Sequence, residues 1–252
     1  MTHVLKIGGN ELDDPAFLPA LARRIARLEV PPIVVHGGGQ AIARLQERLG
    51  IHPRKVDGIR ITDAESLLVA QQVLCGQSNK QIVGALMEVG VDAIGLCGLD
   101  GALLRCRKKM HPKVDLGLVG EVVEVRTTLL RQLMEFGLTV VLAPISVGPD
   151  GAPCNVNADD AACAVAAALR ADRLDFVSNV PGVLRDGAVV PTLTPAETAV
   201  LVANGTIEGG MVAKTNAALF AIGNGVREAR IADLDGLAGD GGTRFLPARK
   251  SA

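Results

Sequence analysis

The sequence predicts an α/β fold of three layers, a mostly parallel central sheet covered on both faces by helices. Short runs of consecutive apolar residues have strand length and no polar alternation, which is typical of strands buried on both faces. Stretches with helical apolar spacing separate these runs, and alternating strands and helices build a parallel sheet. The predicted strands are Val4–Ile7, Ile33–Val35, Ala93–Leu96, Leu138–Ala143, Leu174–Ser178 and Ala229–Ala232.

The helices between these strands are predicted from apolar spacing and from their ends. Apolar residues recur at helical spacing from Leu18 to Leu28, and again from Leu130 to Phe136, where Gly137 is a natural helix stop. Thr62-x-x-Glu65 and Thr194-Pro195-x-Glu197 have the pattern of capping boxes. An alanine-rich stretch, Asp160–Leu169, predicts a further helix.

One segment interrupts the alternation. From Leu103 to Val125 the sequence predicts strands around a polar turn, and Pro149-Asp150-Gly151 predicts a tight turn after it. We expect this β-rich insertion to wall a substrate pocket. A boundary after the alanine-rich helix divides the chain into two predicted lobes, residues 1–170 and residues 171–252.

Composition excludes several classes of function. The chain has 252 residues, and 26 Lys and Arg balance 27 Asp and Glu, unlike the basic excess of most nucleic-acid-binding proteins. No apolar run reaches the roughly 18–20 residues that cross a bilayer, and the N-terminus lacks a signal-peptide pattern. The five cysteines include no C-x-x-C pair, which favours reduced thiols over disulfides or a zinc site. We therefore expect a cytoplasmic protein with neither a nucleic-acid nor a membrane partner.

Two glycine turns are the first candidate for chemistry. The first predicted strand ends in Lys6-Ile7-Gly8-Gly9-Asn10, and the second ends in His36-Gly37-Gly38-Gly39-Gln40. Glycine lets backbone N–H groups approach phosphate oxygens closely, and a following helix adds its positive end. Neither turn is a P-loop or a dinucleotide-binding motif. The second also resembles the oxyanion loop of esterases, but the chain lacks the G-x-S-x-G nucleophile elbow of that fold.

Four charged side chains are candidates, each with a structural alternative. Lys6 closes an apolar strand, where an anion would neutralise it, although a strand-end lysine can also reach solvent. Lys214 is expected in the first turn of a helix, where a bound phosphate would offset unfavourable electrostatics, as would plain exposure. Asp159 either stabilises a helix start capped by Asn157 or holds active-site lysines. Arg60 either binds a substrate carboxylate or lies on the surface.

Taken together, these segments resemble the amino acid kinase family, and within it the kinases that act on N-acetylglutamate. The match extends from Lys6 to about Arg244. It rests on K-I-G-G-N (6–10), H-G-G-G-Q (36–40), V-D-G-I-R-I-T (56–62), S-N-K-Q-I-V (78–83), G-L-x-G-x-D-G (95–101), D-L-G-L-V-G-E-V (115–122), N-V-N-A-D (155–159), V-P-G-V (180–183), G-G-M-V-A-K (209–214) and G-T-R (242–244).

The resemblance implies the amino acid kinase fold, with the acylated amino acid on the N-terminal lobe and ATP on the C-terminal lobe. It implies that Lys6 and Lys214 flank the transferred phosphoryl group and that Asp159 orients both lysines. Mg²⁺ would be carried by the ATP phosphates, with no metal site of the protein's own. Phosphate contacts would come from Gly8, Gly9, Gly37 and Gly38, substrate contacts from Gly37, Gly38, Arg60 and Asn155, and nucleotide contacts from Ser178, Asn179, Gly182, Gly210 and Met211.

Three features depart from the kinases of free N-acetylglutamate. Asn179 stands where those enzymes usually have Asp, and related kinases of carrier-protein-linked aminoadipate or glutamate often have Asn there. Cys75-Gly76 before Asn79-Lys80 also favours the carrier-linked alternative. A non-catalytic nucleotide-binding sensor is a further alternative. In the arginine-inhibited members of the family that the chain resembles, a helix before the first strand joins dimers into hexamers. Lys6 lies so near the start that no such helix is expected before the first strand, so the resemblance implies a homodimer without arginine feedback.

Overall fold

The structure is a computed structural model that describes residues 1–9 and 11–247. Asn10 of the first glycine motif and the end of the predicted second lobe lie outside the described residues. The strands are β1 (His3–Ile7), β2 (Ile33–His36), β3 (Arg54–Val56), β4 (Ile59–Ile61), β5 (Ala93–Cys97), β6 (Leu104–Lys108), β7 (Gly120–Val125), β8 (Thr139–Ala143), β9 (Ile145–Val147), β10 (Pro153–Asn155), β11 (Arg173–Val177), β12 (Leu184–Arg185), β13 (Ala188–Val189), β14 (Thr192–Leu193), β15 (Glu228–Ala232) and β16 (Thr243–Phe245).

α-Helices lie in about half of the connections between consecutive strands. The α-helices are α1 (Phe17–Ile25), α2 (Gly39–Arg48), α3 (Ala64–Gln71), α4 (Asn79–Glu88), α5 (Thr127–Glu135), α6 (Ala158–Leu169), α7 (Pro195–Ala203), α8 (Gly210–Gly223) and α9 (Leu234–Leu237). A π-helical segment, Gln72–Ser78, joins α3 directly to α4, and short 3-10 turns lie at Glu11–Asp13 and Asp100–Ala102.

An eight-stranded sheet in the order β14-β16-β15-β11-β1-β2-β8-β5 forms the centre of the fold. The six predicted strands are its six neighbouring strands from β15 to β5, all mutually parallel. Beyond β15 the strand direction reverses, because β16 pairs antiparallel with β15. The predicted mostly parallel sheet is confirmed.

The two faces of this sheet bury separate apolar cores. On one face, α1 and α4 pack on Leu5, Ile7 and Val34. On the other face, α5, α6 and α8 pack on alternate residues of the same strands, which gives the predicted three layers. One sheet runs through residues on both sides of position 170, since β1 pairs with β11. The division into two lobes stays a prediction.

The β-rich insertion forms a second sheet of four strands, β10-β9-β6-β7. The predicted turn at Pro149–Gly151 joins β9 to β10, with Gly151 at φ 78°. Two hairpins complete the structure, β3–β4 and β12–β13. The hairpin β3–β4 carries Arg60 and projects from the N-terminal part of the chain.

Helix ends match the predictions in part. The capping box of Thr194 and Glu197 is present at the start of α7, with both reciprocal bonds. The predicted box at Thr62 is wrong by one residue, because Asp63 caps α3 and accepts from the Ser66 N–H. The first helix ends at Ile25, so Leu28 lies beyond it. Lys214 lies just after the first turn of α8, not within it.

Candidate active site

The two glycine turns lie side by side at the carboxyl ends of two neighbouring strands in the central sheet. Strands β1 and β2 are parallel neighbours with Ile7 beside His36, so both turns leave the same strand ends. The Gly37 N–H donates to the Ile7 carbonyl at 3.0 Å. A Cβ on Gly9 would lie 2.3 Å from the Gly39 nitrogen, a distance that backbone atoms cannot accommodate. Only glycine at position 9 lets the turns come together.

Lys6 and Asp159 form an ion pair beside these turns. The Lys6 ammonium lies 2.8 Å from Asp159 Oδ1, and the Lys6 residue is 8% exposed. The angles are not those of a hydrogen bond, and this oxygen has no hydrogen-bond partner among the described residues. Asp159 therefore sets the charge around Lys6 without locking its N–H groups, which leaves the ammonium able to turn toward an anion.

Asn157 explains why Asp159 occupies this position. Its side chain caps α6 by accepting from the N–H groups of Asp159 and Asp160, the first at 2.7 Å. The capping interpretation of Asn157 is therefore confirmed, and the cap fixes the first turn of α6 at the cavity. Asp159 is a first-turn acid of α6 and also pairs with Lys6. That it orients both lysines stays a prediction.

Lys214 approaches the same region from helix α8. Its ammonium donates to the Ser178 hydroxyl. Burial lowers the pKa of Lys214, and the charge of Lys6 lowers it further, whereas Glu11 and Asp159 act in the opposite direction. Because the Lys6 and Asp159 charges act on Lys214, these three groups share one electrostatic environment although their positions span most of the sequence.

A cavity of about 240 Å³ opens beside the glycine turns. This size suits a small metabolite better than a large ligand. Hairpin β3–β4, the start of α6 and the second sheet close its sides. Its lining includes Lys6, Gly9, Gly37, Gly38, Gly39, Lys55, Arg60, Asn155, Ala158 and Asp159.

Arg60 lies over this cavity and is not a free surface side chain. Its Nη1 donates to Gln46 Oε1 at 2.6 Å, and its Nη2 donates to the Gly39 carbonyl at 3.3 Å. Gln46 is fully buried and donates in turn to Ser66. Burial lowers the pKa of the Arg60 guanidinium, which nevertheless stays charged. The guanidinium is thus held in a fixed direction.

Asn155 also lines this cavity. Its Nδ2 donates to the Thr62 hydroxyl at 3.3 Å, and its backbone N–H donates to the Leu118 carbonyl. Thr62 follows directly on β4, which carries Arg60. The structure therefore brings Arg60 and Asn155 to the same cavity.

His36 is the last residue of β2 and directly precedes the second glycine turn. It is fully buried, and burial lowers its pKa to about 4. Asn79 donates to His36 Nε2 at 3.2 Å and also to the Val141 carbonyl. The neutral ring, with its other nitrogen 3.2 Å from the Gly37 carbonyl, is the form these contacts favour. Asn79, the first residue of α4, thus joins that helix and β8 to the end of β2.

A second cavity, of about 450 Å³, lies on the Lys214 side. Ser178 and Asn179, which follow β11, form one wall, and Asp233 to Asp235, which follow β15, form another. Glu11 closes the end nearest the glycine turns. The candidate nucleotide residues Ser178 and Asn179 therefore line a space of their own, next to the Lys6–Lys214 region.

Three predicted nucleotide-binding residues do not line either of these two cavities. Gly210 and Met211 begin α8, the helix that carries Lys214. Gly182 packs against Thr243, since a Cβ there would lie 2.7 Å from the Thr243 hydroxyl oxygen. A role for these three in nucleotide binding stays a prediction.

A comparison of the whole chain with known families decides its affiliation. Residues 1–233 match the sequence model of the amino acid kinase family. The chain belongs to the amino acid kinase family. The resemblance predicted from the ten motifs is confirmed, and a family of kinases leaves no support for the esterase alternative.

Individual relatives agree with this. An acetylglutamate kinase of Roseiflexus sp. is 51% identical over 242 residues, covering 96% of this chain and 92% of the relative. One of Chloroflexus aurantiacus is 50% identical over 243 residues, covering 96% and 95%. A crystal structure of smu.665 from Streptococcus mutans has a TM-score of 0.81 at 27% identity, and covers 97% of this chain and 98% of that chain. The amino acid kinase fold is therefore confirmed over nearly the full length.

Sequence reasoning missed several members of the site. Glu11 follows the first glycine turn and packs on Gly8, where a Cβ would lie 2.0 Å from its carboxylate. Gln46 and Asn79 are polar residues on α2 and α4, and both are buried. The available signal for Asn79 was its place in the S-N-K-Q-I-V motif. For Gln46 no sequence signal existed, because its partners Arg60 and Ser66 are distant along the chain.

The remaining titratable groups do not form a metal site. Among residues 1–9 and 11–247, no group of three or more His, Cys, Asp or Glu side chains could hold a metal ion. All five cysteines are free thiols, as predicted, and four of them are buried. None of the helices within the described ranges has the length and apolar character to cross a bilayer.

Proposed function

We propose that this chain is an ATP-dependent kinase that phosphorylates the γ-carboxylate of N-acetyl-L-glutamate, a step of arginine biosynthesis. The substrate is supported by relatives named acetylglutamate kinase at 50–51% identity over nearly the whole chain. The reaction is supported above all by one observation: Lys6, Asp159 and Lys214 share one environment at the edge where two glycine turns meet.

The chemistry needs no general base. A carboxylate with a pKa of about 4 is already ionised at neutral pH and attacks as it is. The difficulty is repulsion between this anion and the triphosphate. Positive charge and positioning therefore supply most of the rate enhancement. The two lysines would stabilise charge on the transferred phosphoryl oxygens, and the N–H groups of Gly8, Gly9, Gly37 and Gly38 would hold the phosphates.

The two cavities suggest where each substrate binds. Arg60, held by Gln46, would form a bidentate pair with the α-carboxylate of the amino acid, and Asn155 would contact its acylamino end. ATP would occupy the cavity beside Ser178 and Asn179, with its γ-phosphate toward Lys6. Mg²⁺ would be bound to the ATP phosphates and would neutralise charge there.

A hydroxamate assay tests the proposal. Purified protein is incubated with MgATP, hydroxylamine and either N-acetylglutamate, unacetylated glutamate or carrier-linked aminoadipate. We expect acyl phosphate only with N-acetylglutamate. Turnover of the carrier-linked substrate alone would reverse this, and Asn179 is the residue that favours that second candidate. ATP binding without turnover of any carboxylate would instead support a sensor.

We further propose that the protein is a cytoplasmic homodimer. The proposed homodimer is supported by the family resemblance. The oligomeric state in solution is measured directly by light scattering coupled to size-exclusion chromatography. A mass near twice 26.1 kDa is expected. A monomer or a hexamer would contradict the proposal.

A further inference from the structure

A row of buried charged groups crosses three strands of the central sheet. His3, Asp175 and Arg230 lie on β1, β11 and β15, and the side chains of Asp175 and Arg230 are fully buried. Arg230 donates to Asp175 from Nε at 2.7 Å and from Nη2 at 2.9 Å, a bidentate pair. His3 Nε2 contacts the same carboxylate at 2.8 Å.

This pairing keeps the carboxylate charged. Burial alone would raise the pKa of Asp175, but the bonds from His3 and Arg230 and the Arg230 charge outweigh it and lower that pKa. A buried ion pair adds little net stability compared with apolar residues, so stability alone does not account for it. The remaining contacts of the guanidinium indicate another role.

The third nitrogen of Arg230 binds a loop. Nη1 donates to the carbonyls of Gly236, Gly239 and Gly241 at 3.1, 2.8 and 3.1 Å. This loop is tight, since a Cβ on Gly241 would lie 2.8 Å from the Gly236 Cα. Three carbonyls that the turn leaves without strand partners thus converge on one buried cation.

The bound loop continues into the wall of the second cavity. Gly236 belongs to α9, and its N–H donates at 2.7 Å to Asp233, which caps that helix. Asp233, Leu234 and Asp235 face Ser178 and Asn179 across the cavity. The two sides are joined directly by the bond from the Ser178 N–H to the Ala232 carbonyl at 2.8 Å.

We infer that Arg230 is a positioning residue of the nucleotide site, which fixes the Asp233–Gly241 wall through Asp175 and three loop carbonyls. The inference rests on the proposed function, because it takes the second cavity as the place where ATP binds. Lysine cannot replace Arg230, since its three N–H donors cannot make two parallel bonds to a carboxylate and also bind the loop.

The first test compares Arg230→Lys with Arg173→Lys. Arg173 pairs with Glu228 at 3.0 Å across the same two strands, two residues before the Asp175–Arg230 pair, and is therefore a matched control. The affinity for Mg²⁺ and a non-hydrolysable ATP analogue is measured by titration calorimetry, and the KM values for ATP and N-acetylglutamate by assay. We expect Arg230→Lys to weaken analogue binding and raise the KM for ATP about tenfold, as the loss of one or two buried hydrogen bonds would.

The KM for N-acetylglutamate should change less than about twofold, and Arg173→Lys should change neither value. Unchanged analogue affinity in Arg230→Lys would overturn the inference. So would an equal rise of both KM values, which would indicate general destabilisation. Because calorimetry needs no turnover, a wild type that binds the analogue but does not phosphorylate N-acetylglutamate would refute the proposed function alone.

A second pair of variants leaves the buried ion pair intact, in case Arg230→Lys does not fold. Gly241→Ala forces the loop apart at Gly236, whereas Gly239→Ala places its Cβ in open space. The carbonyls of both glycines accept hydrogen bonds from Arg230. We expect weaker analogue binding in Gly241→Ala only. Equal affinities in the two variants would overturn the inference.

Discussion

Two ammonium groups set what the candidate site can do. Lys6 is almost buried on β1, and Lys214 is partly buried on α8, where burial lowers its pKa. Bringing two cations together out of water is unfavourable unless an anion joins them. In the free protein, Asp159 pairs with Lys6, and the charges of Glu11 and Asp159 act on Lys214. If a phosphate chain bound here, it would add negative charge beside both ammonium groups, as the proposed function requires.

Removing either ammonium tests this arrangement. We expect Lys6→Ala and Lys214→Ala each to lower kcat by about 10²- to 10³-fold, because a charge lost from a transition state costs about 3–4 kcal/mol. The measurement is steady-state kinetics with the hydroxamate assay. Lys108→Ala, which removes an exposed lysine paired with Asp115, is the control and should leave kcat unchanged. A kcat near that of wild type in either test variant would contradict the placement of that lysine.

Arg60 should act on binding and not on the chemical step. We expect Arg60→Ala to raise the KM for N-acetylglutamate by at least about tenfold, since a charge-assisted bidentate pair contributes roughly 1.5–3 kcal/mol. The KM for ATP should stay nearly constant. Initial rates at varied concentrations of each substrate provide both values. If the amino acid is bound as tightly as before, its carboxylate does not contact Arg60.

His36 gives a prediction about pH. Its pKa is lowered from 6.5 to about 4 in the folded protein, so the unfolded chain binds the proton more readily between these values. The contribution of His36 to the free energy of unfolding is therefore fully present above about pH 6.5. As the pH drops toward 4, this contribution falls by about 3 kcal/mol. Urea unfolding from pH 4 to 8 measures it. The wild type should lose more stability on acidification than His36→Gln, whereas the surface variant His52→Gln should behave like wild type. Parallel curves for all three proteins would show that His36 is not buried in neutral form.

At the scale of elements, function depends on two turns that meet without side chains between them. Parallel strands β1 and β2 end at the same edge, and each is followed by glycines. Helix α2 begins at the second turn, and α6 begins across the cavity, so two helix N-termini face the same space. The positive ends of both helices add to the lysine charges. A phosphate chain is the ligand that such an edge favours.

A single methyl group should separate the turns. Gly9→Ala places a Cβ 2.3 Å from the Gly39 nitrogen, and no flexible side chain can move aside there. We expect kcat/KM for ATP to fall by at least about 100-fold, because displacement of the phosphate-binding backbone by about 1 Å is enough for that. Gly223→Ala, at the end of α8 and outside both cavities, also has open space around its new Cβ and is the control. Equal activity of the two variants would show that the turns do not need close contact.

At the scale of the whole molecule, the central sheet could be predicted from the sequence. The long-range contacts of the site residues could not. Continuous apolar runs such as Leu138–Ala143 can be strands only where both faces are covered, so their place in the centre was predictable. The caps at Asn157 and Thr194 are local and were predictable too. The helix start at Thr62 was displaced to Asp63, because Thr62 instead bonds to Leu116, Leu118 and Asn155.

The partners of the site could not be predicted from the residues alone, because they depend on tertiary contacts. Asp175 in a buried strand suggested no partner, and its contacts His3 and Arg230 lie far away in sequence. Asn79 belonged to the S-N-K-Q-I-V motif, but the motif did not indicate its bonds to His36 and Val141. The convergence of Lys6 and Lys214 came from the family resemblance, whereas local patterns gave each lysine an equally good solvent-exposed alternative.

The most direct test of the phosphoryl-transfer account is a crystal structure of the protein with MgADP, aluminium fluoride and N-acetylglutamate, which mimics the transferring phosphoryl group. We predict that Lys6 Nζ and Lys214 Nζ each lie about 3 Å from fluoride or oxygen atoms around the aluminium, with the γ-carboxylate in line with the leaving oxygen. An aluminium fluoride group bound by only one of the two ammonium groups, or at another edge of the sheet, would contradict it.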